Sequence, residues 1–155
     1  MKVSIKEINQ MRSGIIEFAD TIYNNFVHLS KTPQLEHNRQ ELRRLLSSYN
    51  TTSYVAYSGN IMIAYLVGET KKLNDGRMVF YISYLYVGQK YRGLKLGTKL
   101  MDLVFKKCKK DGVQFVTLTC DVKDKKVVEF YERMGFMPDP ILRNYGQHEV
   151  FTLYL

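Results

Sequence analysis

Residues 81–101, YISYLYVGQKYRGLKLGTKLM, constrain this chain more than any other stretch. Apolar and aromatic residues at strand density give way to Gly88, Arg92, Gly93, Lys95 and Gly97, and then to an apolar stripe at helical spacing. A strand that turns through glycines into a helix aims the helix N-terminus at an anion. Unpaired N–H groups and the positive end of the dipole suit that position to phosphate.

Two common phosphate loops do not fit. A Walker A loop needs GxxxxGK followed by Ser or Thr; Gly88 and Gly93 have that separation, but Leu94 follows, and Lys95 comes one place late with Leu96 after it. With no residue placed for magnesium, nucleotide hydrolysis is not expected. A dinucleotide fingerprint needs GxGxxG after the first strand of a parallel unit, and neither the spacing nor the hairpins before this loop agree.

Those hairpins come from residues 51–57 and 61–67, strand-like runs joined by Ser58-Gly59-Asn60, and from a turn at Asn74-Asp75-Gly76 leading into residues 78–87, expected to be the longest strand. Upstream, residues 3–8 read as an edge strand. Apolar residues recur at helical period over residues 11–28, and a second helix is expected over residues 36–48 after the break at Pro33. Downstream, Leu96, Leu100, Val104 and Cys108 form one stripe of a helix that Gly112 ends. Residues 113–120 then read as a strand, parallel to the previous one through a right-handed crossover. Residues 124–134 form another helix stopped at Gly135. A strand from residue 136, confined to an edge by Pro138 and Pro140, a turn at Asn144-Tyr145-Gly146 and a closing strand from about Glu149 complete the chain. The pattern predicts one domain over residues 1–155, an α+β (mixed α/β) fold with about seven strands and helices on both faces.

The loop and helix together carry a resemblance. Tyr91-Arg92-Gly93-Leu94-Lys95-Leu96-Gly97 resembles the acetyl-CoA loop Q/R-x-x-G-x-G/A of the GNAT superfamily of N-acetyltransferases, with Arg92 first, Gly97 last and Lys95 in place of the middle glycine. The segment DKKVVEFYERMGF is similar to the family's later motif N-x-x-A-x-x-F-Y-E-x-x-G-F: Phe130, Tyr131, Glu132, Gly135 and Phe136 agree, while Asp124 replaces Asn and Val127 replaces Ala. The order of elements also agrees along nearly the whole chain.

The resemblance implies acetyl transfer from acetyl-CoA to a primary amine. It implies that Arg92, Gly93, Leu94, Lys95, Leu96, Gly97 and Thr98 hold the pyrophosphate, that Leu85, Tyr86 and Val87 run beside the pantetheine arm, and that Asp124, Lys126 and Phe130 border the cofactor. A splay between strands near Val87 and Val113 admits the arm. Tyr131 is implied as the acid that protonates the leaving thiolate. Phe26, His28 and Tyr145, in the family's specificity loops over residues 26–33 and 142–149, are the acceptor-binding candidates; His28 and His148 in those loops read as surface or packing residues rather than catalysts. The carboxylate many relatives carry before the loop is missing from residues 80–84, so deprotonation is left to water held by Ser83, or to Asp121 or Glu149. The acceptor is a small-molecule or peptide amine, and a homodimer is compatible with family habit.

A non-catalytic acyl-CoA-binding or regulatory module of the same fold is the alternative reading. The net charge of +8 admits an anionic partner, but no recognised nucleic-acid motif is present and none is expected to bind. Cys108 and Cys120 stand alone, so neither metal nor disulfide is expected. No apolar run approaches a membrane span and the N-terminus lacks a signal-peptide core, which together predict a cytoplasmic protein with no membrane partner.

Overall fold

A computed structural model describes residues 2–27, 38–142 and 148–155. In chain order the elements are β1 (Val3–Asn9), α1 (Ile15–Phe26), α2 (Arg39–Ser47), β2 (Thr51–Ser58), β3 (Ile61–Lys72), β4 (Met78–Val87), α3 (Leu96–Asp111), β5 (Phe115–Asp121), α4 (Lys125–Arg133), β6 (Met137–Pro138) and β7 (His148–Tyr154). The sheet has seven strands in the order β1-β2-β3-β4-β5-β7-β6. It is mixed, because β4 and β5 pair in parallel whereas β5–β7 and β6–β7 are antiparallel. The α+β expectation and the strand count are therefore observed. The chain divides into two compact units, Met1–Gly68 with Tyr84–Gly97, and Glu69–Ser83 with Thr98–Leu155.

In the first unit, Phe18, Ala19 and Ile22 of α1 recur at three and four and bury against Leu42 and Leu46 of α2 and Val55, Tyr65 and Val67 of the strands. α1 starts at Ile15 rather than near Met11. The N–H of Met11 is committed to the carbonyl of Leu46 at 2.8 Å, and Gly14, at φ 71°, turns the chain into the helix. α2 is capped by the Asn38 side chain, which accepts the N–H of Glu41 at 2.8 Å. β3, with 12 residues, is longer than the 10-residue β4, against expectation. Hydrogen-bonding partners rather than apolarity set strand length, so β3 runs on through Glu69–Lys72 until the Leu73–Arg77 turn.

In the second unit, Leu100, Val104 and Cys108 of α3 are buried as the stripe predicted, and Met101 is buried with them. The strand expected from Val113 begins at Phe115, because the Val113 N–H closes the end of α3 on the Cys108 carbonyl at 2.8 Å. The strand expected from residue 136 shrinks to Met137–Pro138. The Phe136 N–H is taken by the carbonyl of Tyr131, and Asp139 is drawn into a side-chain network. There Arg77 donates to both Asp139 oxygens at 2.9 and 3.1 Å and also grips Asp75, while Thr152 donates to Asp139 at 2.6 Å.

The parallel ladder runs from Val79↔Phe115 to Ile82↔Leu118. In this parallel pairing Val87 ends β4 and Val113 precedes β5, so the two residues expected to flank a splay belong to opposite ends of the ladder.

Candidate active site

The chain leaves β4 by a close backbone approach. The Gly88 N–H donates to the Ile63 carbonyl at 2.8 Å, and a Cβ at Gly88 would stand 3.1 Å from that oxygen and 3.3 Å from the Tyr91 ring. Glycine alone fits there without a shift. A 3-10 turn at Gln89–Tyr91 follows, and Arg92 Nε donates to the Val87 carbonyl at 3.0 Å, tying the loop's first cation to the strand it leaves.

Gly93 and Lys95 then take left-handed backbone, at φ 87° and 60°. The Lys95 position thus asks for glycine on conformational grounds, a reason independent of close approach. Among the described residues the N–H groups of Gly93, Leu94 and Lys95 donate to no acceptor. Alternating left-handed backbone with free N–H groups is the geometry of an anion nest. Leu96 is buried and anchors the start of α3, while Leu94 and Lys95 stay exposed. Gly97 and Thr98 lie in the first turn of α3 and are half-buried.

On β4, Leu85, Tyr86 and Val87 are half-buried. The Tyr86 ring stacks on Tyr65 at 5.5 Å and 26°, so its side chain serves the core. Phe26 is the last residue of α1, inside the helical period of residues 11–28 and at the edge of the expected specificity loop. Its ring lies 5.0 Å from Tyr84 and 6.2 Å from Tyr86, extending the aromatic cluster. The other two acceptor candidates, His28 and Tyr145, lie outside the described residues.

In the second unit Asp124 caps α4, its carboxylate accepting the Val127 N–H at 3.3 Å. A cap needs only an acceptor, so Asp serves there as well as Asn. Lys126 is exposed in the first turn and Phe130 is half-buried, 5.2 Å from the Tyr131 ring. Tyr131 is 8% exposed, packs 5.5 Å from Phe136, and its hydroxyl has no hydrogen-bond partner among the described residues. Burial first, and then the nearby Cys120, raise its phenol above the ordinary tyrosine value. Burial, followed by Glu149 and Asp121, pushes the Cys120 thiol up to about 12, which makes it a small apolar filler and not a nucleophile.

Alternation along β5 divides its side chains between two faces. Cys120 is on the face that meets Tyr131. Thr117, Thr119 and Asp121 share the other. There Thr117 meets Thr152 at 3.1 Å and Thr119 meets the Tyr81 hydroxyl at 2.9 Å, with the Lys71 ammonium 4.5 Å above the Tyr81 ring. Asp121 pairs in register with His148 and accepts the Lys123 N–H at 2.9 Å. His148 is 3% exposed and neither ring nitrogen has a hydrogen-bond partner among the described residues. Residue patterns alone gave no weight to this polar face. Finding it requires the β5–β7 register, which no local pattern encodes. Ser83 and Glu149, the other candidates for handling the acceptor's proton, are half-buried. Among the described residues no group of three or more His, Cys, Asp or Glu could hold a metal, and no helix is long and apolar enough to cross a membrane.

A mixed sheet whose fourth strand runs through an anion nest into a helix suits a phosphate-bearing ligand, and the comparisons name the class. Residues 19–136 match the model of the acetyltransferase (GNAT) family, so the chain belongs to that family. It is 32% identical over 85 residues to a glucosamine 6-phosphate N-acetyltransferase of Arabidopsis thaliana, which covers 55% of this chain and 52% of that protein. It is 29% identical over 84 residues to N-alpha-acetyltransferase 30 of Schizosaccharomyces pombe, covering 54% and 56%. The matches span from about a third to just over half the length of these curated relatives. The fold is shared with Arabidopsis thaliana NAA60 in complex with acetyl-CoA, at a TM-score of 0.74 and 13% identity over 99% of both chains.

Proposed function

We propose that this protein transfers the acetyl group of acetyl-CoA to a primary amine, the neutral amine attacking the thioester directly and Tyr131 acting as general acid. The observation that carries this reading is the nest ahead of α3, with three consecutive N–H groups at Gly93, Leu94 and Lys95 that meet no acceptor among the described residues, and two cationic side chains, Arg92 and Lys95. That donor set fits a pyrophosphate. Leu96, Gly97 and Thr98 continue the cradle into the first turn of α3.

Acetyl-CoA, when bound, supplies an activated thioester. The backbone of Leu85, Tyr86 and Val87 aligns the pantetheine arm and offers an N–H to the oxygen that gains charge during attack. Asp124 fixes the start of α4, from which Lys126 and Phe130 border the cofactor. Tyr131 is protonated at neutral pH, as an ordinary tyrosine is, and is assigned to give that proton to the departing thiolate. Phe26, His28 and Tyr145 are assigned to the acceptor side. The relatives' names include both an amino-sugar phosphate and an N-alpha acceptor, so the acceptor class is kept at primary amine.

The test is thiol release from acetyl-CoA across a panel of amines that includes amino sugars, their phosphates, polyamines and short peptides with free N-termini. Acetylation of at least one, in step with thiol release, is expected. Tight acetyl-CoA binding with no turnover of any amine would replace this reading with that of a non-catalytic acyl-CoA-binding module.

A further inference from the structure

A cavity of about 600 Å³ lies at the surface where α1 starts, within the first compact unit, and the loop ahead of α3 contributes nothing to its lining. Its walls include Arg12, Ile15, Ile16 and Glu17 from the stretch after β1, and Arg43 and Arg44 from the second half of α2. From the guanidinium groups gathered there we infer that the cavity binds a small phosphomonoester, Arg12 and Arg43 holding the phosphoryl group and Ile15 and Ile16 meeting the carbon frame. The assignment is independent of the acetyltransferase reading.

The sequence brings these residues together in two ways. Leu42 and Leu46, one turn apart, commit one face of α2 to the core, which leaves Arg43 and Arg44 between them on the exposed side. The Met11 N–H donates to the Leu46 carbonyl at 2.8 Å, pinning the segment that follows β1 to the end of α2 and placing Arg12 at the same cavity.

Pairing sets two of these cations apart. Arg39, Arg44 and Arg77 sit on carboxylates, and Arg92 donates to a carbonyl. Arg12, Arg43 and Arg133 meet no acceptor among the described residues, and two of those three line this one cavity. Glu17 lines it too, yet no ion pair joins it to either arginine. Two guanidinium forks offer parallel N–H pairs that match phosphoryl oxygens, a fit a lysine ammonium does not give. The N–H groups of Ile15, Ile16 and Glu17, which no side chain caps, add donors that assist the arginines. The carbonyls ending α2 would repel an anion, but the Ser47 hydroxyl is shared between those of Arg43 and Arg44, at 2.9 and 3.1 Å. The volume falls within the range of small-molecule sites, and Ile16, 54% exposed, sets apolar surface beside the charges. A phosphoryl group on a modest carbon frame answers both features.

The experiment titrates phenyl phosphate into the 15N-labelled full chain at about pH 7, where a phosphomonoester with a second pKa of about 6 is mostly dianionic, and follows the backbone N–H resonances. Saturable shifts are expected at Ile15, Ile16 and Glu17. Arg12→Gln with Arg43→Gln should weaken that binding at least tenfold, while any shifts at Gly93, Leu94 and Lys95, a second place for phosphate, persist. Arg12→Lys with Arg43→Lys keeps the charge without the fork and should weaken it less. Glu17→Gln should strengthen it several-fold by removing a like charge, and this variant decides the matter if the paired glutamine variant does not fold. Inorganic phosphate, which has no carbon frame, should bind more weakly than phenyl phosphate. Shifts confined to residues 93–95, equal affinity in the paired glutamine variant, weaker binding in Glu17→Gln, or equal affinity for inorganic phosphate would each overturn the assignment.

Discussion

Lys95 shows what a single residue reveals only in three dimensions. In the sequence it interrupts a glycine pattern; in the structure it holds φ 60°, where a lysine is strained by about 1 kcal/mol. Lys95→Gly should relieve that strain, partly offset by the greater freedom of glycine in the unfolded chain, for a net gain of about 0.5 kcal/mol in a denaturant titration. The same change should weaken acetyl-CoA binding and flatten its salt dependence, because a cation is lost beside the nest. Unchanged affinity in a calorimetric titration would assign Lys95's side chain to solvent and leave only its N–H in the site. Tyr131 was legible from the FYE motif. Tyr131→Phe should lower kcat about 100-fold with acetyl-CoA affinity preserved, and full activity in the thiol-release assay would remove it from the mechanism. His148, expected as a surface or packing residue of the closing segment, is buried at the start of β7, across the ladder from Asp121.

Element types followed from the sequence wherever periodicity was strong, as in α1, α3, α4 and the hairpin strands. Their ends did not, because ends are set by who takes the last hydrogen bond. Met11 bonds to Leu46, Val113 to Cys108 and Phe136 to Tyr131, and each bond moved a boundary that hydrophobic pattern had placed elsewhere. The shortest strand, β6, is held less by its ladder than by Asp139 immediately after it. Burial alone would raise the Asp139 carboxyl, but bonds from Arg77, Thr152 and the N–H groups of Leu142 and Ile141 outweigh it and hold the pKa well below the usual carboxylate range. A depressed folded pKa gives stability that is fully present above the unfolded value near 3.8 and is lost as pH falls below it. Asp139→Asn, which leaves the Arg77 charge short of a partner, should therefore cost about 3 kcal/mol at pH 7. That difference should narrow as pH falls below about 4, where the Asp139 carboxyl of the unfolded chain begins to protonate while that of the folded protein stays ionised. Thermal melts of both proteins from pH 7 to pH 2.5 check the sign: a gap that stays constant through this range would mean the charge on Asp139 contributes nothing.

At the scale of the whole molecule the net charge of +8 stops being only a solubility statement once a polyanionic co-substrate is assigned. Arg92 and Lys95 are exposed at the nest, and Lys106, Lys109 and Lys110 are exposed along α3. Exposed charges of this kind act beyond contact distance only within a Debye length, about 10 Å at 0.1 M salt, so they accelerate encounter with an anion and leave the chemical step alone. Two consequences separate such steering from a local ion pair. Raising salt from about 0.05 to 0.5 M should raise the KM for acetyl-CoA several-fold while kcat stays within twofold. Charge reversal far from the nest, Lys109→Glu with Lys110→Glu, should reduce kcat/KM for acetyl-CoA at low salt but not at high salt. Arg92→Gln should instead weaken binding at both, because a charge-assisted hydrogen bond to phosphate is short-ranged and poorly screened. Steady-state kinetics with acetyl-CoA varied at two ionic strengths distinguish them. If the distant reversal and Arg92→Gln show the same salt dependence, the net charge plays no separate part in recruiting the co-substrate.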